Sequence, residues 1–289
     1  MATTTAPVAA VPLLKRLGSL RIYLGVLIVL VWGLGPFYWM AVTAFRDERY
    51  TFDNTPWPTH LTLDNFRNAF DTSRGNNFGR ALVNSLIIGS ITTAIALVLG
   101  IFAAYALARI GFRGKYVVSG LILSASMFPV VVLVTPLFQL FTDLGWIGRY
   151  QAMIIPNISF VLPMTVYVLS SFFAELPWEL EEAARIDGAS KLQAFRLVML
   201  PLAAPAVFTT AILAFIAAVN EYLLARLLSS DATQPVTVAI AGFSGNDPKA
   251  IPYTAIMAAG TMVTVPLVIM VLLFQRRIIS GLTAGGVKS

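Results

Sequence analysis

Six long apolar runs constrain this chain more than anything else in it. They fall at about Ile22–Phe45, Leu82–Ala108, Tyr116–Phe141, Gln151–Phe173, Ala204–Leu228 and Tyr253–Ile278. A bilayer's hydrocarbon core is crossed by about 20 helical residues, and each run is long enough. Inside lipid every backbone N–H and C=O must be satisfied within the protein, so only helices and closed barrels span. Helices fit runs of this length, so the expected fold is all-α with six transmembrane helices. Charged residues make up 12% of the 289 residues and the mean hydropathy is +0.79. That is about half the charged fraction of a soluble domain. The first run is too long for a signal-peptide core and lacks a small-residue cleavage site, so it reads as a retained span. The expected organisation is an N-terminal segment at 1–21, one membrane domain at 22–278 and a tail at 279–289.

The net charge of +6 speaks here of orientation, not of nucleic acid, because no basic run is interleaved with aromatics. Lys and Arg number twenty. Twelve lie in the N-terminal flank, the 109–115 loop, the 176–201 segment and the C-terminal tail, against three in the loops near 142–150 and 226–252. The other five are in the long 46–80 segment, which the positive-inside rule discounts. Both termini and the 176–201 segment are therefore expected in the cytoplasm. The absence of cysteine excludes disulfides and thiolate zinc sites. The one histidine, His60, sits in a polar loop as a surface residue.

Leu176–Pro201 is polar between two apolar runs and reads as helix, glycine turn, helix. Pro177 suits a first helical turn, and Glu179, Glu181 and Glu182 favour the positive end of the helix dipole. Glu181 and Arg185 are four apart and can pair on the surface. Gly188 ends the first helix as a C′ glycine, and Ser190 with Gln193 forms a capping box for the second. Leu192, Phe195 and Met199 share a face of that helix, which Pro201 closes. Ala183 and Ala184 leave the first helix bare for close approach. Two readings fit these residues: a connector lying on lipid, and a docking element for another protein. The segment's net negative charge on a positive-inside face suits a basic protein surface better than anionic lipid.

Glu182-Ala183-Ala184, then Gly188, Val198 and Leu200-Pro201, resembles the EAA motif of ABC-importer permeases. Asp187-Gly188-Ala189 resembles the carbohydrate branch. The resemblance implies a coupling hairpin that docks on a cytoplasmic ATPase through Glu182, Ala183, Ala184, Asp187, Gly188, Ala189, Leu200 and Pro201. It implies a second, homologous permease subunit and two ATPase subunits that carry ATP and Mg, with no cofactor on this chain. It also implies an extracytoplasmic sugar-binding protein, a carbohydrate cargo, and a multi-pass place in a bacterial cell membrane. LTLDNFRNAF, at 61–70, resembles the extracytoplasmic segment before the permease core in sugar importers, and the tail from Gln275 resembles the C-terminus of the smaller maltose/trehalose-type permease. The 229–252 loop is the implied contact with the binding protein, at Gly242, Phe243, Ser244 and Gly245. FIAAVNEYLLA resembles a sugar-permease segment in which tryptophan usually stands where this chain has Val219.

Polar groups within apolar runs are costly unless they face protein or water, so each is a candidate for the translocation pathway. They are Asn84 (or a helix cap, with Ser85), Met127 beside Ser124, Ser126 and Pro129, Gln139, Asn157, Asn220 and Glu221. Pro129 is expected to interrupt the third span, and Asn157, Ser159 and Pro163 the fourth. Glu221 needs a partner, and Arg226, five residues on, does not lie directly below it.

Three function classes follow. An ABC-importer permease for a disaccharide such as trehalose or maltose leads, with glycerol-3-phosphate or another oligosaccharide as variants. An ion-coupled secondary transporter would want several buried carboxylates or histidines and an internal repeat. An enzyme would want a nucleophile, a metal cluster or paired carboxylates, and no catalytic or metal-ligating set is expected. The chain lacks G-x-x-x-x-G-K-[ST], since Gly111 to Lys115 has the wrong spacing, so ATP hydrolysis belongs to a separate ATPase subunit.

Overall fold

A computed structural model describes residues 13–74, 77–243 and 251–284. Its regular structure is helical, with one isolated antiparallel bridge between Arg46 and Leu61. Helix α1 (Leu13–Ala44) leads into a segment that sequence reasoning takes for a solvated connector. That segment is instead folded around the wholly buried Arg46, whose guanidinium donates to the Asp53 and Thr55 carbonyls and lies over the Trp39 ring. Asn65, in α2 (Asp64–Ala69), donates to the Ala44 and Arg46 carbonyls at 2.9 and 2.6 Å. It thereby satisfies acceptors that the end of α1 leaves free. His60 stacks on Tyr50, with centroids 3.8 Å apart.

Helix α3 (Phe78–Arg109) is unbroken and contains no proline. The third apolar run forms two helices, α4 (Lys115–Ser126) and α5 (Val130–Asp143), bent by 86°. Pro129 drives residue 128 out of the helical region and supplies no N–H, so the break falls where expected. The fourth run does not break. Helix α6 (Tyr150–Glu175) continues through Pro156 and Pro163, and the break expected at Asn157, Ser159 and Pro163 is corrected. Packing along α3 over Met153, Asn157, Val161, Thr165 and Leu169 holds it together. An added Cβ on Gly100 of α3 would lie 2.5 Å from Thr165 Cγ2, and Ala96 and Ala104 continue that small-residue face. Small residues let helix backbones approach closely where no hydrophobic drive exists.

After α6 come α7 (Trp178–Ile186) and α8 (Lys191–Ala194), a π-turn over Phe195–Met199, and α9 (Leu200–Leu202). The second limb thus runs past Pro201 and turns by 69° into α10 (Ala204–Val219). Leu192 is 67% exposed while Phe195 and Met199 are buried, so the three do not share a buried face. The π-turn rotates the limb between them. The fifth apolar run also splits: α10 stops at Val219 and α11 (Leu223–Leu228) restarts beyond Glu221. Helix α12 (Val236–Ala241) is short, and α13 (Tyr253–Ala284) packs on α1 and α10. Among the described residues four helices are long and apolar enough to cross a membrane, or up to six if each bent pair counts as one span.

Candidate functional site

The hairpin is built by local chemistry. Pro177 stands at the N-cap of α7, one residue earlier than expected. Gly188 has φ +92°, its N–H donates to the Arg185 carbonyl, and the Ala189 N–H donates to the Ala184 carbonyl. This is the Schellman pattern, and it satisfies carbonyls that the helix end would otherwise leave open. The capping box is present: Gln193 N–H donates to Ser190 Oγ at 3.3 Å, and Ser190 N–H to Gln193 Oε1 at 2.8 Å. Glu182, Ala183, Asp187, Gly188 and Pro201 are exposed, and Ala184, Ala189 and Leu200 are half-buried. Glu182, Arg185, Ile186, Ala189, Ser190 and Lys191 border an open cleft of about 550 Å³.

Glu181 does not pair with Arg185 on the surface. It is 9% exposed and turned toward α3, where Tyr105 Oη donates to its Oε1 at 2.8 Å. Beside it Arg109 donates to the Leu176 carbonyl, and its guanidinium lies 4.4 Å from the centre of the Trp178 ring. Tyr105 is bracketed by Phe195 and Phe173, with centroids 4.5 and 5.8 Å away. The hairpin is thus clasped to the end of α3. Tyr105, Arg109 and Trp178 were missed in the sequence, because an aromatic and a cation at the end of an apolar run look like ordinary interface residues. The four-residue offset of Tyr105 and Arg109, one helical face, was the available signal.

At the opposite end Asn84 is neither a helix cap nor a free polar group. Its Nδ2 donates to the Ala232 and Gln234 carbonyls at 3.1 and 2.9 Å, and its Oδ1 accepts from Tyr150 Oη at 2.7 Å. Ser85 Oγ accepts the Val236 N–H at 2.8 Å. These contacts stitch α3 to the 229–236 loop, which Thr233 also ties to the Gly148 carbonyl at 3.1 Å.

Glu221 finds its partner in backbone, not in Arg226. Its two carboxylate oxygens accept the Leu224 and Ala225 N–H groups at 2.8 and 2.9 Å, which restarts the helix as α11. Glu221 and Asn157 meet with Ser85 around a cavity of about 10 Å³, room for roughly one water. Met127, Gln139 and Asn220 are exposed elsewhere and do not join that cavity. Gly242 ends α12, and Phe243 is buried against Phe78, centroids 6.0 Å apart. Ser244 and Gly245 lie outside the described residues. Among the described residues no group of three or more His, Cys, Asp or Glu could hold a metal.

An all-helical set of apolar spans with a polar helix–glycine–helix hairpin at one end defines a membrane permease subunit as a class. Residues 96–283 match the family described as the inner membrane component of binding-protein-dependent transport systems, and the chain belongs to that family. It is 45% identical over 262 residues to the trehalose transport system permease protein SugB of Mycobacterium tuberculosis, covering 90% of this chain and 94% of that protein. It is 41% identical over 277 residues to the trehalose/maltose transport system permease protein MalG of Thermococcus litoralis, covering 95% and 98%. A chain of a bacterial ABC transporter that imports the acidic polysaccharide alginate shares the fold, with a TM-score of 0.74 at 20% identity over 93% of this chain and 99% of that one.

Proposed function

We propose that this chain is a transmembrane subunit of an ATP-driven, binding-protein-dependent carbohydrate importer, with a disaccharide such as trehalose or maltose as cargo. The observation that carries the reading is the hairpin: Glu182, Ala183 and Asp187 lie on an exposed face around a Gly188 Schellman turn. Near-full-length likeness to permeases named for trehalose and maltose supports the cargo class. A related alginate importer, also known with its sugar-bound periplasmic protein, supports a binding-protein partner.

In this reading α4 with α5 serves one span and α10 with α11 another, giving six with the four long helices, and both termini and the hairpin lie in the cytoplasm. The assembly has a second permease, two ATPase subunits holding ATP and Mg, and an extracytoplasmic binding protein. Closure of the ATPase dimer draws the hairpins together and rocks the spans open outward. ATP must favour one packing by about 5.5 kcal/mol for near-complete switching. Glu182, Ala183, Ala184, Asp187, Gly188, Ala189, Leu200 and Pro201 form the docking element. Asn157 and Glu221, which border one small cavity, serve in this reading as pathway residues.

The test is reconstitution of the assembled complex in proteoliposomes with labelled trehalose, maltose and glycerol-3-phosphate. Uptake of a disaccharide that requires both ATP and the binding protein is the expected result. Uptake driven by a proton gradient without ATP would mean a secondary transporter, and selective glycerol-3-phosphate uptake would change the cargo.

A further inference from the structure

We propose that α3 is a strut that ties the hairpin at one end of the molecule to the 229–236 loop at the other, with Tyr105, Arg109, Asn84 and Ser85 as its positioning residues. The inference rests on the reading of the hairpin as the ATPase-docking element. Four observations carry it.

First, both ends of α3 hold segments distant in sequence. Asn84 and Ser85 bond the 232–236 backbone, while Tyr105 and Arg109 bond Glu181 and the Leu176 carbonyl. Second, about 30 Å of helix, Ser85 to Tyr105 at 1.5 Å per residue, separates the two grips. Third, that length is stiff. Pro36 lies inside α1, Pro156 and Pro163 inside α6, and Pro266 inside α13, whereas α3 has no proline. A proline removes one N–H from the helix ladder, so α6, although unbroken and covalently joined to the hairpin, lacks two backbone hydrogen bonds that α3 keeps. Fourth, the grip at the hairpin has polar atoms in reserve. Arg109 Nε and Nη1 and Glu181 Oε2 are buried without a partner. A small shift of α7 can let them pair, so the grip survives displacement of the hairpin.

The adjacent glutamates then divide the work. Glu182 faces outward, where a docked ATPase would push, and Glu181 faces inward, where the push reaches α3.

The experiment uses the assembled complex of this chain with its partner permease, ATPase pair and binding protein. The variants are Tyr105→Phe, Glu181→Gln and, at the far end, Asn84→Ala. Sugar imported per ATP hydrolysed is read beside ATPase co-purification. Co-purification should persist while the ratio falls roughly fivefold or more, the lower end of ordinary coupling between sites. The chain has no cysteine, so Tyr105→Cys with Glu181→Cys can be bridged cleanly by a short bifunctional thiol reagent. Bridging should restore the ratio. A wild-type ratio in all three variants, or loss of assembly that bridging does not mend, would overturn the strut and leave the proposed function standing. A wild-type complex without ATP-dependent uptake would instead overturn the function.

Discussion

Glu181 and Glu182 are neighbours in sequence with opposite fates, and α7 sets the difference. A helix turns about 100° per residue, so one carboxylate meets Tyr105 while the next faces outward. Glu182→Lys should leave the fold intact, because the side chain is exposed, but should weaken ATPase association. Placing like charges together costs about 2–5 kcal/mol in a buried interface. Co-purification of the ATPase checks it. Gly188→Val acts differently, through a φ of +92° that a side chain strains by about 1–2 kcal/mol. It should lower sugar-stimulated ATP hydrolysis while some ATPase still co-purifies. Wild-type behaviour of both variants in both assays would remove the hairpin from coupling. The Gly188 turn and the Ser190–Gln193 capping box were legible in the sequence because they are local. The orientation of Glu181 was not, since it depends on Tyr105, 76 residues away.

At the scale of elements, the small-residue face of α3 decides how α6 can sit. Gly100→Val would push atoms against Thr165 Cγ2, already 2.5 Å from an added Cβ. Overpacking of this kind costs about 1–3 kcal/mol, so the variant should unfold at a lower temperature in detergent. Thr165→Ala should relieve part of that loss if the clash is the cause. The folded 46–62 segment gives a second test. Asn65→Ala would leave the Ala44 and Arg46 carbonyls short of a donor and loosen the segment, at about 1–3 kcal/mol. Limited proteolysis should then cut within 46–62. Acid should do the same. The Thr55 hydroxyl beside Asp53 holds its carboxyl below the ordinary value of 3.8. The stabilisation is therefore complete above that value and is lost as pH falls through the lower folded value. The breaks show what a sequence can tell at this scale. Pro129 marked a true break, the 86° bend between α4 and α5, whereas Pro136 within α5 and Pro36 within α1 marked none. Pro156 and Pro163 marked none, because α6 is held along its length by α3. A proline's effect thus depends on neighbours that composition does not show.

For the whole molecule, the exposed faces sort into two chemistries. Helices α1 and α13 expose apolar side chains, with Trp32 at 85% and Leu273 at 72%, which lipid can cover. Helices α4 and α5 expose Ser124, Ser126, Thr135 and Gln139 among apolar neighbours. Polar groups at membrane depth are costly against lipid, so this bent pair should face water or a second permease. Single cysteines test the division on a chain that has none of its own. In the assembled importer, Ser124→Cys and Gln139→Cys should react with a water-soluble maleimide, and the rate should differ between the nucleotide-free and ATP-bound states. Val29→Cys and Leu273→Cys should stay unreactive in both. In a complex lacking the partner permease the nucleotide dependence should vanish, because alternating access needs two subunits to part and close. Equal, nucleotide-independent labelling of all four positions would place α4 and α5 outside the pathway. It would return Gln139 and Met127 to the status of ordinary surface residues.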